Sequence, residues 1–146
     1  MSFTYEGRRH SHKLIPDQLF GIRYGARKLF FLLEFDRSTE MVSESSFERK
    51  SYLRSLLQYR QFIGGQSYKR QYGFDEGLVV LFLTTSRRQL ERMLETTMKI
   101  SSGTGNAYML FKCLPAGAQF CQRPMPVPFS EPWLRAGKKD VELHSL

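Results

Sequence analysis

Three carboxylates offer the plainest chemistry in this chain: Asp17, Glu34 and Asp36. Glu34 and Asp36 are two residues apart, so in an extended segment they share a face. They follow a run of five apolar residues that begins at Leu29. Carboxylates on a face that is otherwise dry need water, cations or protons to be tolerable. As hard oxygen donors they suit Mg²⁺ or Mn²⁺, and no soft-ligand set for zinc accompanies them. A divalent ion held there activates water and offsets the charge that builds at a phosphodiester under attack. The plainer alternative is a charged, solvated hairpin end.

Positioning these acids falls to a strand over residues 29–37, apolar on both sides. Leu29, Phe31, Leu33 and Phe35 line one face; Phe30 and Leu32 line the other, which then changes to Glu34 and Asp36. A strand dry on both faces belongs in the middle of a sheet. Residues 16–24 read as the preceding strand and residues 25–28 as the hairpin turn. A loop of two or four residues there sets Tyr24 opposite Leu29 and Asp17 opposite Asp36. The three acids then cluster within roughly 5–8 Å, whereas a one-residue slip sends Asp17 to the other face.

Cations come next. Ser45 and Glu48 form a capping box for a helix over residues 46–63, closed by Gly64-Gly65. Its apolar stripe is Phe47, Leu53, Leu56, Leu57 and Ile63. Lys50 lies three residues before Leu53 and seven before Leu57, so it either points along that stripe toward the acids or snorkels past the helix edge to water. Residues 66–77 read as a long loop in which Tyr68, Lys69, Arg70 and Tyr72 combine ring faces with charge, as a grip on single-stranded or distorted nucleic acid does; the alternative is a solvated loop over packed aromatics. Arg87, Arg88 and Arg92 face outward from a second helix capped by Ser86, whose inward residues are Leu90, Met93, Leu94 and Thr97. These arginines either touch phosphate or merely solvate a face. His10 and His12 alternate in a basic arm and suit phosphate contact or solvation better than a metal.

Composition bounds the rest. The chain has 146 residues, 41% hydrophobic and 14% aromatic, with a net charge of +8. That is one domain with a respectable core, and the charge favours a polyanionic partner, nucleic acid before membrane. No apolar run approaches the about 20 residues of a membrane span, and no signal-peptide pattern opens the chain. Cys113 and Cys121 have no metal spacing and read as reduced thiols of a cytoplasmic protein. Residues 78–83 form a buried strand and residues 107–114 another. The glycine-rich turn at 101–106 follows a helix and precedes a strand, the reverse of a phosphate loop. Beyond Pro115, alternating Pro124, Pro126 and Pro128 favour extended chain, Phe129 and Trp133 fold back onto the body, and residues 136–146 read as a flexible tail. The order β-β-α-β-α-β calls for a mixed sheet with right-handed helical crossovers, hence an α/β fold, or α+β if the opening hairpin is weighed.

The motifs also resemble a known group. Pro16-Asp17, then Glu34-Phe35-Asp36 ending an apolar strand, then a helix, is similar to the PD-(D/E)XK restriction-endonuclease-like superfamily. Pro16-Asp17-Gln-Leu-Phe, Phe31-Leu-Leu-Glu-Phe-Asp-Arg-Ser-Thr39, and Lys50 with Tyr52 and Tyr59 resemble the replication-relaxation proteins of plasmids and mobile elements. The likeness spans residues 15–114. It implies a restriction-endonuclease-like mixed sheet flanked by helices, a nuclease-like domain over 14–135 after a basic arm at 1–13, and Mg²⁺ or Mn²⁺ held by Asp17 and Glu34. The implied activity is that of a DNA endonuclease or nickase; the alternative is a catalytically inactive DNA-binding module in plasmid replication or mobilisation. The superfamily's lysine, two residues after the glutamate, is Asp36 here; Lys50 is the first substitute and Arg37 the second. The usual helix and strand before the Pro-Asp strand do not fit in the residues ahead of Pro16. A second copy or a partner protein is therefore expected to supply them.

Overall fold

The computed structural model describes residues 2–5, 7–11, 13–36, 52–114 and 127–146. Within them a six-stranded mixed sheet runs in the order β3-β4-β5-β6-β7-β8. Its strands are β3 (Gln18–Tyr24), β4 (Arg27–Asp36), β5 (Gly77–Thr84), β6 (Met109–Cys113), β7 (Trp133–Arg135) and β8 (Lys138–Val141). A separate hairpin, β1 (Ser2–Tyr5) with β2 (Arg8–Ser11), precedes it. The basic arm expected over residues 1–13 thus contains paired strands, turned at Gly7.

Strand β4 is interior, antiparallel to β3 and parallel to β5, which is parallel to β6. Parallel neighbours need crossovers, supplied by α1 (Tyr52–Gly64) with α2 (Ser67–Tyr72), and by α3 (Arg87–Ile100). Two right-handed crossovers stepping the same way along a sheet leave their helices on one face. The packing agrees. Leu32, Val80, Phe82, Met109 and Phe111 of the sheet join Leu56, Tyr59, Phe62, Leu90 and Met93 of the helices in one core. On the other face Phe31, Val79, Leu81 and Leu110 are covered by Trp133 of β7 and by Leu143 beyond β8. The alternation of β4 therefore divides as its sequence indicates, with Glu34 and Asp36 continuing the Phe30 and Leu32 face.

Three expectations need correction. The hairpin turn is only Gly25-Ala26, with positive φ at Gly25 alone, the pattern of a type II′ turn. Tyr24 consequently pairs with Arg27, not Leu29. Residues 66–77 are not one long loop, because they contain α2. Gln66 and Gly73 bracket that helix in left-handed conformations, and the Gly73 N–H donates to the Lys69 carbonyl at 2.9 Å. Residues 136–146 are not a frayed tail but a strand, β8, and a closing turn, Leu143–Ser145. Ala136 and Leu143 are each 2% exposed. That segment reads as polar because Lys138, Lys139 and Asp140 lie on an edge strand, where charge guards against stray pairing. The Tyr24 hydroxyl donates to the Leu143 carbonyl and the Arg27 guanidinium to that of Leu146, tying this end of the chain to the β3–β4 hairpin. Trp133 folds back as expected, whereas Phe129 stays 56% exposed.

Candidate active site

Parallel strands end together, and their carboxyl ends are where open α/β sheets place ligands. Here β4, β5 and β6 end side by side on the helix-bearing face, with Asp36 paired to Thr84 and Thr84 to Cys113. One step back, Glu34 pairs with Phe82. Both acids are buried, Glu34 at 6% and Asp36 at 5% exposure. Each is met by a side chain from a neighbouring element. The Tyr59 hydroxyl of α1 donates to Glu34 Oε1. Thr84 Oγ1 lies 3.4 Å from Asp36 Oδ2, a long hydrogen bond, and itself accepts from the Ser86 N–H at 3.2 Å. A hydroxyl that accepts from the backbone has its proton left to give to the carboxylate. The α3 cap thereby orients Asp36 through Thr84.

Tyr59 is fully buried, and its hydroxyl is held well above the ordinary phenol range. Burial is the main cause; the Glu34 charge and hydrogen bond come next, and Tyr72 and Asp17 add to it. Tyr59 is therefore a fixed proton donor to Glu34 rather than an acid in its own right. The Asp17 contribution also shows that this carboxylate lies close enough to act on the same hydroxyl. Sequence reasoning noticed Tyr59 only through a resemblance. The direct signal was its place three residues after Leu56 on the inward stripe of α1.

Asp17 stands differently from the other two acids. Its N–H donates to the Leu33 carbonyl at 3.0 Å although Gln18 is the residue paired with Leu33. Two consecutive residues thus address one, as at a β-bulge, and β3 begins with a bend. The side chain is exposed, and its Oδ2 accepts from the Phe35 N–H at 2.7 Å. Asp17 therefore caps the β4 edge opposite the Glu34–Phe35 step instead of facing Asp36. Among the described residues no three His, Cys, Asp or Glu side chains gather into a metal-holding group. What the structure brings together is a pair, Glu34 and Asp36, with Asp17 at the rim.

The expected cations divide in the same way. Lys50 and Arg37 lie outside the described residues, as do the Ser45 capping box, Phe47 and His12. Arg87 and Arg88 are exposed in the first turn of α3, directly after the carboxyl end of β5. The helix begins at Ser86, whose Oγ accepts from the Gln89 N–H at 3.3 Å, the cap the sequence implies. Burial pushes the Cys113 thiol up while the Arg87 charge pulls it down, so Arg87 flanks the acid-bearing edge on its β6 side. Lys69 and Arg70 sit on α2, near the amino half of β4, where Phe74 stacks on Phe30 with ring centroids 3.8 Å apart. Tyr68 is buried against Phe62 and Phe74, and Tyr72 stacks on Phe74. The Tyr68 ring is enclosed by the core, as the packed-aromatics alternative has it, whereas Tyr72 stays half-buried beside Lys13 and Gln71.

Two adjacent carboxylates on one strand fit a Mg²⁺ or Mn²⁺ ion of the type held by one or two acids with water and substrate phosphate completing its shell. They do not amount to a three-acid cage. Among the described residues no helix is long and apolar enough to cross a membrane. No family model, no curated protein and no solved structure matches this chain.

Proposed function

We propose that this protein is a Mg²⁺- or Mn²⁺-dependent DNA endonuclease or nickase, similar in role to the replication-relaxation proteins of plasmids and mobile elements and acting in the cytoplasm. The observation that carries the reading is the burial of Glu34 and Asp36 side by side at the carboxyl end of the parallel strands, in a chain of net charge +8. Such a surface draws in polyanions, and the acid pair is the local exception that recruits a cation. When bound, the ion supplies an activated water and offsets charge on the scissile phosphate. Glu34 and Asp36 would hold it. Tyr59 and Thr84 fix the two carboxylates, and burial keeps bulk water from loosening them. Arg87 and Arg88 grip the DNA backbone beside the site. Lys50 is the proposed extra positive charge at the phosphate.

Supercoiled plasmid incubated with Mn²⁺ or Mg²⁺ tests this. Wild type is expected to convert it to nicked or linear form and Glu34→Ala to leave it intact; equal conversion by both, or none by either, removes the nuclease reading. One observation favours a second function. Asp17 Oδ2 accepts from the Phe35 N–H, which ties the exposed side chain to the β4 backbone. A nuclease-like DNA-binding module without catalysis needs no more of Asp17 than that contact. Salt-steep DNA binding indifferent to chelator and to Glu34→Ala would favour this module.

A further inference from the structure

The two edges of the sheet are finished differently. The β8 edge carries Lys138, Lys139 and Asp140 in succession, all exposed. The β3 edge carries no charge from Gln18 to Ile22, and among the described residues no strand pairs with its outer side. Large exposed apolar side chains gather beside it: Leu19 is 39% and Ile15 60% exposed. An unguarded edge of this length is a template for another strand. At its centre is Gly21, exposed and without a side chain, where a Cβ would meet the Phe30 ring at 3.2 Å. A glycine inside a strand commonly marks a close approach of another backbone.

We propose that β3 is the seam of a two-fold dimer in which a second copy of this chain adds its own β3, antiparallel and centred on Gly21. Charge selects this occupant. The β3–β4 hairpin is acidic at one end, with Asp17, Glu34 and Asp36, and basic at its tip, with Arg23, Arg27 and Lys28. Antiparallel pairing about Gly21 sets Leu19 opposite Arg23, Phe20 opposite Ile22 and Gln18 opposite Tyr24 of the second copy. No charged residue meets its like, and the basic tip of each copy comes to lie along the acidic end of the other. Arg23 pairs with Lys28 in the same phase as Phe30, so both cations stand on the face that carries Glu34 and Asp36. The second copy's Arg23 thus stands on the same face as the acids, with one β3 strand between it and the β4 strand that carries them. The seam rests on strand geometry and charge alone, not on the nuclease reading.

Sedimentation of the full chain, without metal or DNA, tests the seam. Wild type is expected at twice the 17.1 kDa chain mass, with the dimer weakening as salt rises. Leu19→Lys sets a lysine against Arg23 across the seam and is expected to raise the dimer Kd by about tenfold or more. Adding Arg23→Glu to it gives that lysine an opposite charge and is expected to restore the dimer. Both positions are exposed, so circular dichroism should show an unchanged fold. A wild type that stays monomeric, a Leu19→Lys variant as dimeric as wild type, or a double variant that is not restored each overturns the seam. None of these outcomes bears on whether the acid pair cuts DNA.

Discussion

A buried carboxylate is tolerable only while something donates to it, and for Glu34 one donor is the Tyr59 hydroxyl. Tyr59→Phe keeps the ring that packs edge-on to Phe82 and removes only that donor. We expect a loss of about 1–3 kcal/mol in urea unfolding at neutral pH. The same bond sets an alkaline signature. The unfolded phenol ionises near pH 10, about its ordinary value. Its folded counterpart is held higher, so above that pH the unfolded chain gives up a proton that the folded one keeps. Stability should be fully present below pH 10 and fall above it, by up to about 1.4 kcal/mol per pH unit for this group. Tyr24 and Tyr72, both raised by burial, add to the slope. Unfolding curves between pH 8 and pH 11 should therefore show a shallower decline for Tyr59→Phe than for wild type; identical slopes would mean the hydroxyl is not so constrained.

Among the elements, the turn at Gly105, which secures the carboxyl-terminal hairpin, carries the sharpest expectation. Gly105 has φ +75°, and a Cβ there would lie 2.2 Å from the Ala136 carbonyl oxygen, to which the Asn106 N–H donates at 3.0 Å. Gly105→Ala combines backbone strain with a clash against backbone, and should cost about 2 kcal/mol or more. Hydrogen exchange should then quicken first in β7 and β8. By contrast Ser86→Ala removes one N-cap and should cost about 1 kcal/mol, read as a lowered urea midpoint. These elements also mark where sequence was legible. The two apolar faces of residues 29–35 declared an interior strand, and Ser86 with Gln89 declared a helix start, because both signals are local. The hairpin register was not legible. Pairing residues 24 and 27 instead of 24 and 29 turns on Gly25 adopting positive φ, and the bulge at Asp17 turns on a side chain reaching the β4 backbone. The hairpin at the chain's end was hidden because an edge strand is charged by design and its apolar partners, Phe31 and Leu81, are distant in sequence.

For the molecule as a whole, the acids came to light by pattern and their partners by packing. Glu34 and Asp36 share a face because strands alternate. Thr84 reached Asp36 only through parallel pairing, and Tyr59 reached Glu34 only when α1 settled on that face. Charge acts at the same scale. A net charge of +8, with Arg87 and Arg88 beside the acid edge, should give DNA binding whose affinity falls steeply with salt. Charge reversal of both arginines should flatten that slope by about two ions' worth; an unchanged slope would place the DNA elsewhere. The account depends most on Glu34 and Asp36 acting together as a cation site. Titrating Mn²⁺ into the protein, with free ion read by electron paramagnetic resonance, reports this without recourse to activity. Wild type should take up Mn²⁺, and Glu34→Gln and Asp36→Asn should each weaken uptake by about tenfold or more. Equal uptake by wild type and both variants would contradict it.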